Sequence, residues 1–282
     1  MLTLVTGVEG FTGHFVKAEL EANGHIVVGL NSDLTDANAV TDEVLEIQPE
    51  AVIHLAGIAF VGDENANAFY DVNLVGTRNL LDALSKQASK LSSVLVTSSA
   101  NVYGNTTGGV LDENVPPNPS NDYAVSKLAM EYMTRLWDKK LPLCIVRPFN
   151  YTGIGQNEKF LIPKIVKHFR DKKSVIELGN LDVWREFGDV RTVATIYRML
   201  IENCPAGETL NVCTGQTYSL KEVISLCEKL TGHKIEIKVN PEFVRENEVR
   251  ELKGDNSRLL KLVDDFNLYA FEETLSWMLE SS

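Results

Sequence analysis

The sequence predicts an α/β fold, a doubly wound parallel sheet carrying a second, smaller α/β lobe. Three observations point there. A short apolar strand opens the chain and runs straight into a glycine-rich turn and a helix. Aliphatic runs then alternate with segments of helical periodicity up to about residue 150, the βαβα pattern of a parallel sheet. Beyond Asn150 the alternation changes without any low-complexity linker, so the second lobe is expected to pack tightly on the first. At 282 residues, 44% hydrophobic and 23% charged, the chain can bury a full core.

Leu2–Val5 is the opening strand, followed by Thr6-Gly7-Val8-Glu9-Gly10-Phe11-Thr12-Gly13 and helix-forming sequence to about Ala22. Glycines here permit a tight turn and bring the backbone close to a pyrophosphate, which then faces the N–H groups of the helix N-terminus. The context implies a dinucleotide site with Gly7, Glu9, Gly10, Phe11 and Thr12 as candidate contacts; a glycine turn without a ligand is the alternative. The next strand, His25–Leu30, ends in Asn31-Ser32-Asp33-Leu34-Thr35-Asp36. An acidic residue usually reads the ribose here, or an arginine reads a 2′-phosphate. Asn31 and Ser32 are neither. Asp33 is open to reading as a ribose acid, but its context, with Leu34, suggests an adenine contact, so the sequence does not choose between NAD and NADP.

Asp36–Gln48 carries Val40, Val44 and Ile47 at helical spacing. Ala51–Gly57 is a buried strand whose end, Leu55-Ala56-Gly57, is small enough for a cofactor to approach; His54 reads as a core histidine. A long helix is expected from about Asn67 to Gln87, with Asn73 and a kink-prone Gly76. The strand Leu91–Thr97 delivers Ser98 and Ser99 to the sheet edge where ligands of such folds bind. A polar, proline-punctuated loop leads to a helix expected to bury Val125, Leu128, Tyr132 and Leu136. A further strand, Leu143–Arg147, gives way to the segment from Pro148 to Gln156. Helix Phe160–Phe169, strand Val175–Leu178, loop Gly179–Gly188, helix Val190–Glu202 and strand Thr209–Val212 follow. Leu220, Val223, Ile224, Cys227 and Leu230 mark an amphipathic helix, Ile235–Val239 a strand, and Phe271, Leu275 and Met278 a closing helix.

Tyr123 and Lys127 lie four apart on one helix face. A phenol is a weak acid, with a reference pKa of about 10, and a neighbouring ammonium makes it a better proton donor and acceptor. Other classes are less well supported. A net charge of −12 argues against a nucleic-acid binder. The four cysteines, Cys144, Cys204, Cys213 and Cys227, have no metal-ligand spacing and read as buried thiols of a reducing compartment. With a strand at the first residues and no apolar run long enough to span a bilayer, a cytoplasmic protein without membrane contact is expected.

Taken together, Thr6-Gly7-x-x-Gly10-x-x-Gly13, Asp33-Leu34-x-Asp36, His54-Leu55-Ala56-Gly57, Asn73-x-x-Gly76-Thr77, Ser98-Ser99-x-x-Val102-Tyr103-Gly104, Tyr123-x-x-x-Lys127 and Arg147-Pro148 resemble the extended short-chain dehydrogenase/reductase family over nearly the whole chain. Within it, Arg147–Gln156, Gly179–Val190 and Asn211–Gly215 look like segments of GDP-4-keto-6-deoxy-D-mannose reductases. Two departures are Trp184 and Glu186 around Arg185, and Asn121-Asp122 before Tyr123.

The resemblance implies a Rossmann lobe over 1–150, completed by about 188–212, and a nucleotide-sugar lobe over 151–187 and 213–282. It implies NADPH or NADH as cofactor, held also by Leu55, Ala56, Gly57, Asn73, Thr97, Tyr123, Lys127 and Pro148. The activity implied is reduction of the C4 ketone of a nucleotide 4-keto-6-deoxy sugar, giving GDP-D-rhamnose. Tyr123 would donate the proton, Ser99 would hydrogen-bond the same oxygen, and Lys127 would hold the nicotinamide ribose and keep the phenol acidic. Ser99, Ala100, Asn101, Asn150, Gln156, Arg185 and Arg245 would meet the nucleotide sugar, the arginines at its diphosphate. A homodimer through the two long helices is also implied. The rivals are a nucleotide-sugar 4-epimerase, a 4,6-dehydratase and a non-catalytic NAD(P)-binding regulator. Dehydratases of the family carry an acidic pair where this chain has Ala100 and Asn101.

Overall fold

Six parallel strands form the main sheet, in the order β11-β6-β4-β3-β1-β2. They are β1 (Leu2–Thr6), β2 (Ile26–Gly29), β3 (Ala51–His54), β4 (Ser93–Thr97), β6 (Leu143–Pro148) and β11 (Thr209–Val212). This is a computed structural model, and it describes residues 1–59, 65–104, 109–243, 251–263 and 266–281. Helices α1 (Phe11–Ala22) and α6 (Val190–Asn203) cover one face; α2 (Ala37–Ile47), α3 (66–85) and α4 (Asp122–Thr134) cover the other. Because both faces are covered, β3 and β4 are buried along their whole length, which is why they read as continuous apolar runs. The chain leaves β1 for β2 on one side and returns to β3 on the other. The topological switch point therefore lies at the end of β1, beside the glycine turn.

The second region contains helices α5 (Leu161–Arg170), α7 (Leu220–Thr231) and α8 (Phe271–Glu280) around their own apolar core, with Phe169, Ile176, Ile224 and Leu275 at its centre. Three small sheets accompany it. β7 (Tyr151–Thr152) pairs with β10 (Gly188–Asp189), and β8 (Val175–Leu178) with β13 (Glu236–Val239). The third has the order β12-β9-β14-β5, from Thr217–Ser219, Trp184–Glu186, Glu251–Gly254 and Val110–Leu111. The expected loop Gly179–Gly188 thus holds β9, three residues too short to show a period, paired on both sides.

Two further expectations are corrected. Helix α3 is not α-helical throughout: its segment Phe69–Gly76 is π-helical and continues as α-helix over Thr77–Ser85. Gly76 instead admits Leu34, whose Cβ would lie 2.8 Å from a Cβ built there. Helix α4 does not bury Val125, Tyr132 and Leu136, which are 39%, 69% and 77% exposed. Its buried face is Tyr123, Ala124, Ser126, Lys127, Met130, Glu131 and Thr134, five of them polar and so not announced by a hydrophobic stripe. The thiols are free, as expected, and Cys204 alone among the four is only half-buried. Among the described residues no helix is long and apolar enough to cross a membrane, and no group of side chains could hold a metal ion.

Candidate active site

The dinucleotide end is built by β1, the glycine turn and α1. Gly7 has φ of +69°, and a Cβ on Gly13 would lie 2.3 Å from the Gly7 carbonyl oxygen, so turn and helix close only on glycine. Gly10 is the N-cap of α1, and no side chain caps the helix, which leaves the first-turn N–H groups for an anion. Glu9 is exposed, while Phe11 and Thr12 are half-buried. The Thr12 hydroxyl already pairs with the Tyr151 hydroxyl at 2.8 Å, and the Phe11 ring stacks on Tyr151 at 6.2 Å. Between this turn and β2 lies a cavity of about 280 Å³ lined by Val8, Glu9, Lys17, Val27, Gly29 and Asn31. Its position and its glycine cradle fit the adenosine half of a dinucleotide.

Asp33 is exposed, and its Oδ1 accepts from both the Thr35 N–H (2.9 Å) and the Thr35 hydroxyl (2.8 Å). Leu34 is buried, and Asp36 caps α2 by accepting from Asn38 and Ala39. Asn31 donates to Glu43, a contact that sequence reading missed. Beyond β3, Leu55, Ala56 and Gly57 are placed at the sheet edge, with the Ala56 N–H on the Thr6 hydroxyl. A Cβ on Gly57 would lie 2.8 Å from Asn73 Oδ1 and 3.3 Å from Lys127 Nζ, so this glycine keeps open the space in front of both side chains. Asn73 is fully buried; it accepts from the Ile58 N–H and donates to the Ile58 carbonyl and the Ser126 hydroxyl. Its amide thereby ties the loop after β3 to α4.

Ser99, Tyr123 and Lys127 meet at the C-terminal ends of β3 and β4. Tyr123 is positioned from three sides. Asn121 caps α4 by accepting from the Ala124 N–H, Asp122 accepts from the Tyr70 hydroxyl, and the Phe69 ring packs edge-on against the phenol ring at 5.9 Å. The Asn121-Asp122 departure is therefore a working helix start. Burial pushes the Tyr123 phenol up to about 12, and a hydrogen bond with Ser99 works against that rise. Burial draws the Lys127 ammonium down to about 8, opposed by the charge of Glu131. Lys127 Nζ donates to the Thr97 carbonyl at 2.9 Å. Ser99 is the partner that lowers the phenol here, and burial outweighs it. Ser99 also caps the short turn Ala100–Tyr103 by accepting from the Asn101 N–H, which fixes Ala100 and Asn101 beside it.

The residues expected around the sugar nucleotide are more scattered. Pro148 ends β6, and Asn150 is exposed one turn beyond it, its carbonyl accepting from the Gly188 N–H. Gln156 is turned onto its own loop, accepting from the Thr152 hydroxyl at 2.7 Å and donating to the Tyr151 carbonyl at 3.2 Å. Arg185 is half-buried on β9 and donates to the Trp184 carbonyl. Arg245 lies outside the described residues. Glu186, which looked like a disturbance of Arg185, is a buried anchor: its carboxylate accepts from the N–H groups of Thr214, Gly215 and Gly254.

A polar layer beneath the site was not foreseen. His54 is buried between the hydroxyls of Thr6 (2.7 Å) and Thr77 (2.8 Å), and burial draws its ring down to about 3, so it is neutral, as a core histidine should be. Glu131, two turns beyond Tyr123, accepts from the Ser98 hydroxyl and from Arg147. Arg147 and Asn211 both bind the Tyr103 hydroxyl, which carries the network to β11. The Tyr123, Lys127, Glu131 spacing of four was the signal available for the first of these.

The sequence matches the NAD dependent epimerase/dehydratase family over residues 3–213. It is 37% identical to a GDP-6-deoxy-D-talose 4-dehydrogenase of Aggregatibacter actinomycetemcomitans, covering 93% of this chain and 91% of that protein. It is 35% identical to a GDP-6-deoxy-D-mannose reductase of Pseudomonas aeruginosa, covering 90% and 88%. The fold superposes with a TM-score of 0.89 on RMD from Pseudomonas aeruginosa solved with NADPH, at 31% identity over 99% of this chain and 98% of that one. Strand order, glycine turn and sequence agree, and the chain belongs to the NAD dependent epimerase/dehydratase family, as an NAD(P)-dependent oxidoreductase of the extended short-chain dehydrogenase/reductase type.

Proposed function

We propose that the protein reduces the C4 ketone of a GDP-4-keto-6-deoxy-hexose, with GDP-4-keto-6-deoxy-D-mannose as substrate and GDP-D-rhamnose as product. The observation that carries this reading is the similarity over most of the chain to a GDP-6-deoxy-D-mannose reductase, joined to a buried Tyr123 phenol hydrogen-bonded to Ser99. A ketone gaining hydride needs a proton donor at its oxygen, and the neutral phenol of Tyr123 can serve as one. The nicotinamide, when bound, supplies the hydride. Tyr123 gives its proton to the carbonyl oxygen, Ser99 donates a hydrogen bond to that oxygen as charge develops, and the Lys127 ammonium then steadies the phenolate left behind. Asn73 and Gly57 keep the space in front of Lys127 open for the ribose. Arg185 meets the diphosphate, and Asn150 the sugar. Gln156 shapes the loop that Asn150 begins, through its bonds to Thr152 and Tyr151.

The similarity to the talose 4-dehydrogenase supports a second product. Reduction of the same ketone from the opposite face gives the C4 epimer, GDP-6-deoxy-D-talose, with no change in the roles above. We also propose a homodimer through α3 and α4, whose outward side chains Val75, Val125, Tyr132 and Leu136 form an exposed apolar stripe. The substrate assignment is tested by offering GDP-, dTDP-, UDP- and CDP-4-keto-6-deoxy sugars with reduced cofactor. The GDP ketone should be consumed fastest; equal or faster turnover of another base would overturn the assignment.

A further inference from the structure

Asn31 and Ser32 follow β2 at the point where doubly wound folds read the adenosine ribose, and their polar groups are already engaged by an acid from the next helix. Glu43, on α2, accepts through Oε1 from the Asn31 N–H at 2.8 Å and from the Asn31 side-chain amide at 3.0 Å. Through Oε2 it accepts from the Ser32 N–H at 2.7 Å and the Ser32 hydroxyl at 2.5 Å. Two successive backbone N–H groups, a hydroxyl and an amide converging on one carboxylate make a small anion nest. Burial pushes the Glu43 carboxyl up, yet the bonds from Ser32 and Asn31 outweigh it and hold the group below the ordinary carboxylate value.

We propose that Glu43 makes this protein select NADH over NADPH, by filling with its own carboxylate the nest that would otherwise hold a 2′-phosphate. Asn31 borders the adenosine cavity, so a 2′-phosphate there would have to displace Glu43 from four donors or lie against its charge. Little is present to compensate. Residues 1–57, which form the glycine turn, β2, α2 and β3, contain no arginine, Lys17 as their one lysine, and nine Asp or Glu. Arg78, on α3 beside the Asn79 that donates to the Leu34 carbonyl, is exposed. Lys17 lines the cavity opposite Glu9 and is exposed, so its charge is shared and screened. A ribose with free hydroxyls carries no charge into this acidic surface. The inference needs only the dinucleotide site and is independent of which sugar is reduced. It also sets this chain apart from the neighbour solved with NADPH.

The test is binding without any sugar. Titration of the purified protein with NADH and NADPH, followed by nicotinamide fluorescence, should give NADH the tighter binding by roughly tenfold or more. The fragment pair 5′-ADP and 2′,5′-ADP, measured by calorimetry, should show the same order. In Glu43→Gln the preference should shrink at least severalfold, chiefly because NADPH and 2′,5′-ADP bind better. Equal affinity of the wild type for the two cofactors would overturn the proposal. So would a Glu43→Gln variant that weakens both cofactors equally and leaves their ratio unchanged, since that is what a purely structural loop anchor would do.

Discussion

Glu131 meets Arg147 in a two-bond ion pair, Nε to Oε1 at 2.9 Å and Nη2 to Oε2 at 2.7 Å, with both side chains buried. The same carboxylate raises the pKa of Lys127 one turn away. Arg147 thus lets a negative charge persist in the core, and that charge helps keep Lys127 an ammonium where burial would neutralise it. In the proposed reduction Lys127 acts as an ammonium, so the rate should fall as pH rises past about 8. In Glu131→Gln this alkaline limb should move to lower pH, while the acid side of the profile stays put. Measuring kcat/KM against pH decides it, and an unmoved limb would show that Glu131 acts only as a packing partner. The amide keeps the shape of the side chain but leaves Arg147 without its counter-charge, a loss of about 3–5 kcal/mol for a buried pair, so urea unfolding of the variant should accompany the pH profile.

Tyr123→Phe removes the proposed proton donor and leaves the ring that Phe69 packs against. Turnover should fall by about 10²–10⁴-fold, while cofactor binding changes little. Wild-type kcat in this variant would remove Tyr123 from the mechanism.

His54 makes a prediction about stability. Its ring is held near 3 in the fold against 6.5 when exposed, so between those values the unfolded chain binds the proton that the folded chain refuses. Stability contributed by the neutral ring is therefore full above pH 6.5 and drains as pH falls toward 3, at up to about 1.4 kcal/mol per pH unit. Urea unfolding of wild type and His54→Asn between these limits should show a flatter slope for the variant. Parallel slopes would mean that other groups govern the acid transition.

The exposed stripe on α3 and α4 gives a fourth test. Leu136, 77% exposed, and Tyr132, 69% exposed, should be covered in a dimer. Leu136→Glu should shift sedimentation at micromolar concentration from dimer to monomer, without loss of fold. A wild-type monomer at that concentration would remove the interface.

The parallel sheet was legible because burial on both faces forces the period-free apolar runs at β3 and β4, and because the glycine turn has few other uses. Ser99, Tyr123 and Lys127 were legible as residue types at a spacing, and the fold brings them together. What stayed hidden depends on partners distant in sequence. Glu43 looks like any helix-surface acid until β2 and α2 fold side by side and put Asn31 and Ser32 against it. Glu186 looked disruptive beside Arg185, since nothing local says that three N–H groups from residues 214, 215 and 254 converge on it. The outward stripe of α4 has the periodicity of a core face, because apolar periodicity reports amphipathicity and not which side is covered.

In the proposed reaction this chain consumes reduced cofactor with every ketone it reduces, where an epimerase would return the same hydride to its sugar. Freshly purified protein should be denatured and its released nucleotide quantified by chromatography. The same preparation should be given GDP-4-keto-6-deoxy-D-mannose with NADH, and separately UDP-glucose with no added cofactor. The account predicts protein largely free of nucleotide, stoichiometric loss of reduced-nicotinamide absorbance with the ketone, and no reaction with UDP-glucose. Near-stoichiometric bound NAD, together with C4 inversion of UDP-glucose in the absence of added cofactor, would contradict it.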